Sequence, residues 1–164
     1  MITRSQAIEN DKMSWEQQYA ASFRNPADLL TWLGIDIDTI SDAIDMDSEF
    51  PMRVPFAFAS RMQHGDPDDP LLRQVLPLKN EGIPVSGFSK DPLNEENYTV
   101  GNGIIKKYHG RALLVATGAC AIHCRYCFRR HYPYADESLT REQISKMIAE
   151  LRHMDDLDEV ILSG

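Results

Sequence analysis

Apolar residues in the first hundred positions come in short clusters broken by Pro and Gly, without the regular period of an internal repeat. Asn25 and Pro26 make an N-cap and first-turn pair ahead of Leu29, Leu30 and Leu33, and Gly34 supplies the stop, which predicts a short helix. Residues 55–62 and 70–75 each open on Pro and predict two more, with Gly65 following the first. Residues 77–103 are mostly turn formers and predict a long loop with at most one helical turn.

From Gly103 the pattern changes to strands. Residues 104–108 and 111–117 flank His109-Gly110 and predict a hairpin with a short turn. Residues 112–116 are continuously apolar, which suits a strand covered on both faces, as in a parallel sheet. Thr140 and Gln143 have capping-box spacing, and Ile144, Met147, Ile148 and Leu151 fall at i, i+3, i+4, i+7, the mark of an amphipathic helix. Residues 160–162 are another short apolar strand, so strand, loop, helix and strand form a βαβ unit with neighbouring parallel strands. The expected fold class is α/β, with a helical region over 1–103 and an incomplete α/β part over 104–164. Because α/β proteins place ligand loops after the carboxyl ends of strands, a chain ending there is expected to be the N-terminal part of a longer protein.

Composition narrows the function classes. The chain of 164 residues carries 17 Lys plus Arg against 25 Asp plus Glu, a net charge of −8, with 43% apolar and 26% charged residues. These values are those of an ordinary globular chain. No apolar run approaches the roughly 20 residues needed to span a bilayer, and residues 1–12 lack the apolar stretch of a secretory signal, so neither a membrane nor an export role is expected. The acidic balance argues against general nucleic-acid binding, which needs a basic footprint.

The three cysteines, Cys120, Cys124 and Cys127, lie in one short window, whereas a disulfide framework needs even, dispersed cysteines. A reducing, cytoplasmic setting is expected. Thiolate sulfur is a soft ligand for zinc, copper(I) or iron–sulfur clusters. A four-iron cube usually takes four cysteines, so three would leave one iron open to an exchangeable small molecule. Two other readings stand beside this one: three inert core cysteines on a helix face, and a structural zinc site with His123 or His131 as fourth ligand, serving an interaction module. Charge bears on the choice. No acidic residue stands between Glu96 and Asp136, yet Lys106, Lys107, Arg111, Arg125, Arg129 and Arg130 do. Such an island around the thiolates suits phosphates or carboxylates, which Arg can grip bidentately.

The Cys-x3-Cys-x2-Cys spacing, with Tyr126 before the last cysteine, resembles the signature of the radical S-adenosylmethionine enzymes, and the stretch ending in Ser163-Gly164 looks like the second barrel strand of that fold. Lys107-Tyr-His-Gly-Arg111, the run from Cys124 to His131, and Gly65-Asp-Pro-Asp-Asp-Pro-Leu-Leu72 are similar to the lysine 2,3-aminomutase family, closest to the subgroup that makes (R)-β-lysine for modification of elongation factor P.

The resemblance implies a (βα)6 partial TIM-type barrel, cut here after its second strand, and an isomerase moving the lysine amino group from C2 to C3. The implied cofactors are a four-iron (4Fe-4S) cluster, S-adenosylmethionine and pyridoxal 5′-phosphate. Cys120, Cys124 and Cys127 would ligate the cluster. Tyr126, Ser163 and Gly164 would contact S-adenosylmethionine, Arg111 and Lys107 the pyridoxal phosphate, and Arg129 the lysine carboxylate. Arg125 and Arg130 are expected at the rim of the site, and His123 and His131 as surface or packing residues. The implied partners are free L-lysine, a reductant such as flavodoxin or ferredoxin, and indirectly the elongation factor P pathway ligase, with room for a homo-oligomer. The family's aldimine-forming lysine and its acidic readers of the substrate ε-amino group fall outside this sequence, so no catalytic residue is assigned and the chain alone is not expected to turn over. Another radical S-adenosylmethionine enzyme, such as one acting on a protein glycyl site, is the alternative within the same chemistry.

Overall fold

Capping chemistry starts most of the helices. Ser14 caps α1 (Trp15–Ala20) through a reciprocal box with Gln17, and Asn25 caps α2 (Pro26–Leu33) by accepting from the Ala27 N–H. Gly34 ends α2 at φ 70°, a left-handed conformation that costs a glycine little. These residues belong to a computed structural model that describes residues 13–101, 103–132 and 140–163. Where residues 55–62 predicted a helix, α3 is only Phe56–Ala59, continued to Met62 by single turns. The helix expected over 70–75 is a 3-10 turn, Leu72–Gln74, followed by Pro77, which has no N–H to extend it.

The chain divides into two compact units, Met1–Ser86 with Ala121–Arg130, and Gly87–Cys120 with His131–Gly164. In the first, Leu29, Leu30 and Leu33 of α2 are fully buried among Ile44, Val54, Ala59, Leu72 and Val75. The Trp32 ring lies at its edge, 5.6 Å from Phe23 and 5.3 Å from Phe56. Ile122, from the cysteine segment, packs against this same core.

The second unit is a four-stranded sheet in the order β1 (Thr99–Gly101), β2 (Ile104–Tyr108), β3 (Gly110–Val115), β4 (Leu157–Ser163). The first two pairings are antiparallel and β3 with β4 is parallel. The hairpin turns at His109-Gly110, with Gly110 at φ 73°. Helix α4 (Arg141–Arg152) lies between β3 and β4 in sequence, opened by the expected box of Thr140 and Gln143. Met147 of α4 is buried against Ile104 and Ala112, flanked by Leu114, Leu151, Met154 and Leu157. Of the four positions on the periodic apolar stripe, Ile144 and Ile148 are 39% and 43% exposed, so the helix buries a narrower face than its sequence period suggests. The α/β class is as expected, in the form of a mixed sheet. Among the described residues no helix is long and apolar enough to cross a membrane.

Candidate functional site

The segment after β3 leaves the sheet through Ala116, whose N–H donates to the Ser163 carbonyl at 2.6 Å, and turns at Thr117, whose hydroxyl accepts from the Ala119 N–H. Beyond this turn the chain is an irregular loop, so the reading of three core cysteines on a helix face does not apply. Cys120 is exposed, and Cys124 and Cys127 are half-buried, joined by a turn in which the Cys127 N–H donates to the Cys124 carbonyl at 3.1 Å. None of the three is in a disulfide. The boundary between the units falls after Cys120, so the trio is divided between them. As donors, three thiols outside any hydrocarbon core suit a soft metal or an iron–sulfur cluster. Among the described residues, however, no three His, Cys, Asp or Glu side chains are gathered to hold a metal ion. The trio fits such a group by its chemistry.

The remainder of the loop is laid onto the helical unit. The His123 N–H donates to the Arg53 carbonyl at 3.0 Å and the Arg125 N–H to that of Gln74 at 2.7 Å. The His123 ring stacks on Phe50 at 5.2 Å, and its Nδ1–H donates to the Pro51 carbonyl at 2.8 Å. Burial lowers the His123 pKa and Arg53, Arg125 and Arg24 lower it further, against the opposing Pro51 bond, so the neutral ring is favoured. It is a packing residue, as expected.

Arg125 departs from its expected place at a site rim: it is 8% exposed and fully engaged. Its Nη2 meets Glu81 Oε2 at 2.7 Å and Ser48 Oγ at 2.9 Å, Nη1 donates to the Phe50 carbonyl at 2.8 Å, and Nε lies 3.1 Å from both Glu81 oxygens. Arg130 Nη1 reaches Glu81 Oε2 at 2.8 Å. Burial by itself would raise the Glu81 pKa, but Arg125, the Leu78 N–H and Arg130 outweigh it and hold the carboxyl below the ordinary range.

The cationic island of the sequence is therefore mostly balanced in space. Lys106 pairs with Asp156, Arg111 with Glu159 at 2.7 Å, and Arg125 and Arg130 with Glu81. Each acid comes from outside the acid-free stretch, which is why a linear count of charge missed them. Lys107 Nζ donates to the Leu93 carbonyl at 2.7 Å, and its ammonium is 5.5 Å from the Tyr98 ring. Arg129 is buried at 7% exposure with its guanidinium 5.0 Å from the Phe128 ring. Tyr126 is 72% exposed, Ser163 ends β4, and Gly164 lies outside the described residues. Sequence reasoning passed over Glu81, Ser48 and Phe50. They sit in turn-forming stretches with no motif, and only the fold brings them to the loop.

Fold and loop together define an α/β protein that carries three cysteines on a polar, arginine-rich connection after a central strand. No family model matches the chain. It is similar to the protein named L-lysine 2,3-aminomutase of Escherichia coli (strain K12), 43% identical over 151 residues, which is 92% of this chain and 44% of that protein. The protein of that name from Buchnera aphidicola subsp. Baizongia pistaciae is 40% identical over 95% of this chain and 46% of its own length. For that of Haemophilus influenzae the figures are 32%, 99% and 48%. The similarity runs along nearly the whole chain, which spans about half the length of the curated relatives it matches.

Proposed function

We propose that this chain is the cluster-binding part of a radical S-adenosylmethionine lysine 2,3-aminomutase, a cytoplasmic isomerase that makes (R)-β-lysine from L-α-lysine for modification of elongation factor P. The similarity to proteins of that name along nearly the whole chain carries the reading, with the Cys-x3-Cys-x2-Cys spacing in support. The α/β unit would begin a (βα)6 barrel, completed by residues that this sequence does not contain.

Cys120, Cys124 and Cys127 would hold the 4Fe-4S cluster, Tyr126, Ser163 and Gly164 would hold S-adenosylmethionine, and Arg111 and Lys107 the phosphate of pyridoxal phosphate. When bound, these groups supply the radical and electron-sink chemistry, while the protein binds, orients and excludes water. Arg129 would take the lysine carboxylate, a task suited to a buried guanidinium. For Arg111 to take a phosphate it must leave Glu159, and that exchange is cheap because the two side chains are 62% and 51% exposed. An electron would arrive from a flavodoxin or ferredoxin, and the product would pass to the elongation factor P ligase.

The test is anaerobic reconstitution of the complete gene product with iron and sulfide. A brown protein whose spectrum changes with S-adenosylmethionine, and which isomerises lysine when pyridoxal phosphate is added, is the expected result. Cys124→Ala should abolish the chromophore, because two thiolates do not hold the cube. A colourless protein with stoichiometric zinc would overturn the reading in favour of a structural metal module.

A further inference from the structure

One carboxylate ties the cysteine loop to the helical unit. Glu81 Oε2 accepts from Arg125 at 2.7 Å and from Arg130 at 2.8 Å, and Glu81 is itself held through Oε1 by the Leu78 N–H at 2.9 Å. Arg125 directly follows Cys124, and Arg130 stands three residues beyond Cys127, so the two arms bracket the Cys124–Cys127 turn. Arg130 Nη1 also donates to the Arg125 carbonyl at 3.2 Å, closing the bracket on itself. Phe50 floors the arrangement: the guanidinium carbons of Arg125 and Arg130 lie 5.1 Å and 5.5 Å from its ring centroid. The participating side chains are mostly withdrawn from water, at 16% exposure for Glu81, 6% for Arg125 and 19% for Arg130. Ion pairs in such surroundings constrain geometry far more than exposed ones.

We propose that Glu81 is a positioning residue for the cysteine loop: through Arg125 and Arg130 it fixes the backbone that presents Cys124 and Cys127. Its bearing on catalysis rests on the cluster-binding function proposed above, whereas its hold on the two thiols is independent of what they bind. Glu81→Gln keeps the shape and removes the charge that both arginines share. Opening of the turn then becomes easier, and the thiols on it more reactive.

The experiment uses the complete gene product with Glu81→Gln and Glu81→Asp. In the metal-free protein, iodoacetamide labelling of each cysteine is followed by mass spectrometry, with Cys120 as the internal reference. After anaerobic reconstitution, iron per chain and the electron paramagnetic resonance spectrum of the reduced protein are recorded. In Glu81→Gln, Cys124 and Cys127 should label about tenfold or more faster relative to Cys120, because the charge-assisted contacts to both Arg125 and Arg130 are weakened, with iron content lowered and the spectrum altered. Glu81→Asp keeps the charge on a shorter arm and should fall between. If Glu81→Gln fails to melt cooperatively, Glu81→Asp decides. Labelling ratios within about twofold of wild type in the folded variants, with an unaltered spectrum, overturn the proposal. Wild-type protein that takes no iron while the variants still label faster would overturn the proposed function and leave the role of Glu81 standing.

Discussion

Asp69 and Glu81 are withdrawn carboxylates whose low pKa values have different origins. Asp69 is 6% exposed and accepts from the backbone N–H groups of Gln63 at 2.9 Å, Leu71 at 2.8 Å and Leu72 at 2.9 Å. Its burial favours the neutral acid, but the three donors outweigh that and lower its pKa. Glu81 reaches the same state through Arg125 foremost, with the Leu78 N–H and Arg130. Both acids bind protons more weakly folded than unfolded, so near pH 4 the unfolded chain holds more protons and stability rises with pH. Their contribution is complete above the ordinary carboxylate range and is lost as pH falls through the lowered values. Asp69→Asn should cost about 2 kcal/mol in urea unfolding at neutral pH, by weakening charge-assisted bonds at a buried site, and should shrink the loss between neutral and acid pH. An unchanged acid limb would assign that loss elsewhere. None of this is legible in the sequence: Asp69 reads as one acid in a turn, and Glu81 is separated from Arg125 by a long stretch of chain.

Among the secondary-structure elements, residues 77–103 hold two 3-10 turns, Lys79–Gly82 and Glu96–Tyr98, and the strand β1 where a loop with at most one turn is expected. The Ser14–Gln17 box of α1 is a local signal left out of the sequence reading. Asn25, Thr140 with Gln143, and Gly34 act within a few residues of themselves, and each ends or begins a helix where its chemistry directs. The hairpin glycine, Gly110, is held by its backbone: φ is +73°, strained for any L side chain, while the one close neighbour of an added Cβ is the movable Asp158 carboxylate, Oδ2 at 2.7 Å. Gly110→Ala should therefore destabilise the sheet unit by about 1–2 kcal/mol, measured by thermal or urea melting, while Gly82→Ala, with open space at its Cβ, should change little. Helix α4 separates periodicity from burial. Met147, at 1% exposure, should cost about 2–5 kcal/mol when changed to Ala, whereas Ile148→Ala should cost well under half as much. Equal losses would mean that the whole apolar stripe is packed.

For the molecule as a whole, the sequence and the tertiary structure answer different questions. The linear order of residues carried the α/β class, the capped helices opened by Asn25 and by Thr140, and the hairpin at His109-Gly110, together with the expectation for three clustered thiols. All of these depend on residues close together in the chain, through capping bonds, side-chain period and ligand spacing. Similarity to the L-lysine 2,3-aminomutases is likewise carried by linear order. Only the tertiary structure decided where charge resides. Lys106, Arg111, Arg125 and Arg130 look like one cationic field when read in line, yet each meets an acid delivered by a distant segment. It also decided that Ala121–Arg130 joins the helical unit while Cys120 stays with the sheet, a division that no composition shift marks. The physical reason is range. Capping and periodicity are settled within one or two turns of backbone, whereas burial and ion pairing follow from which remote surfaces the folded chain brings into contact.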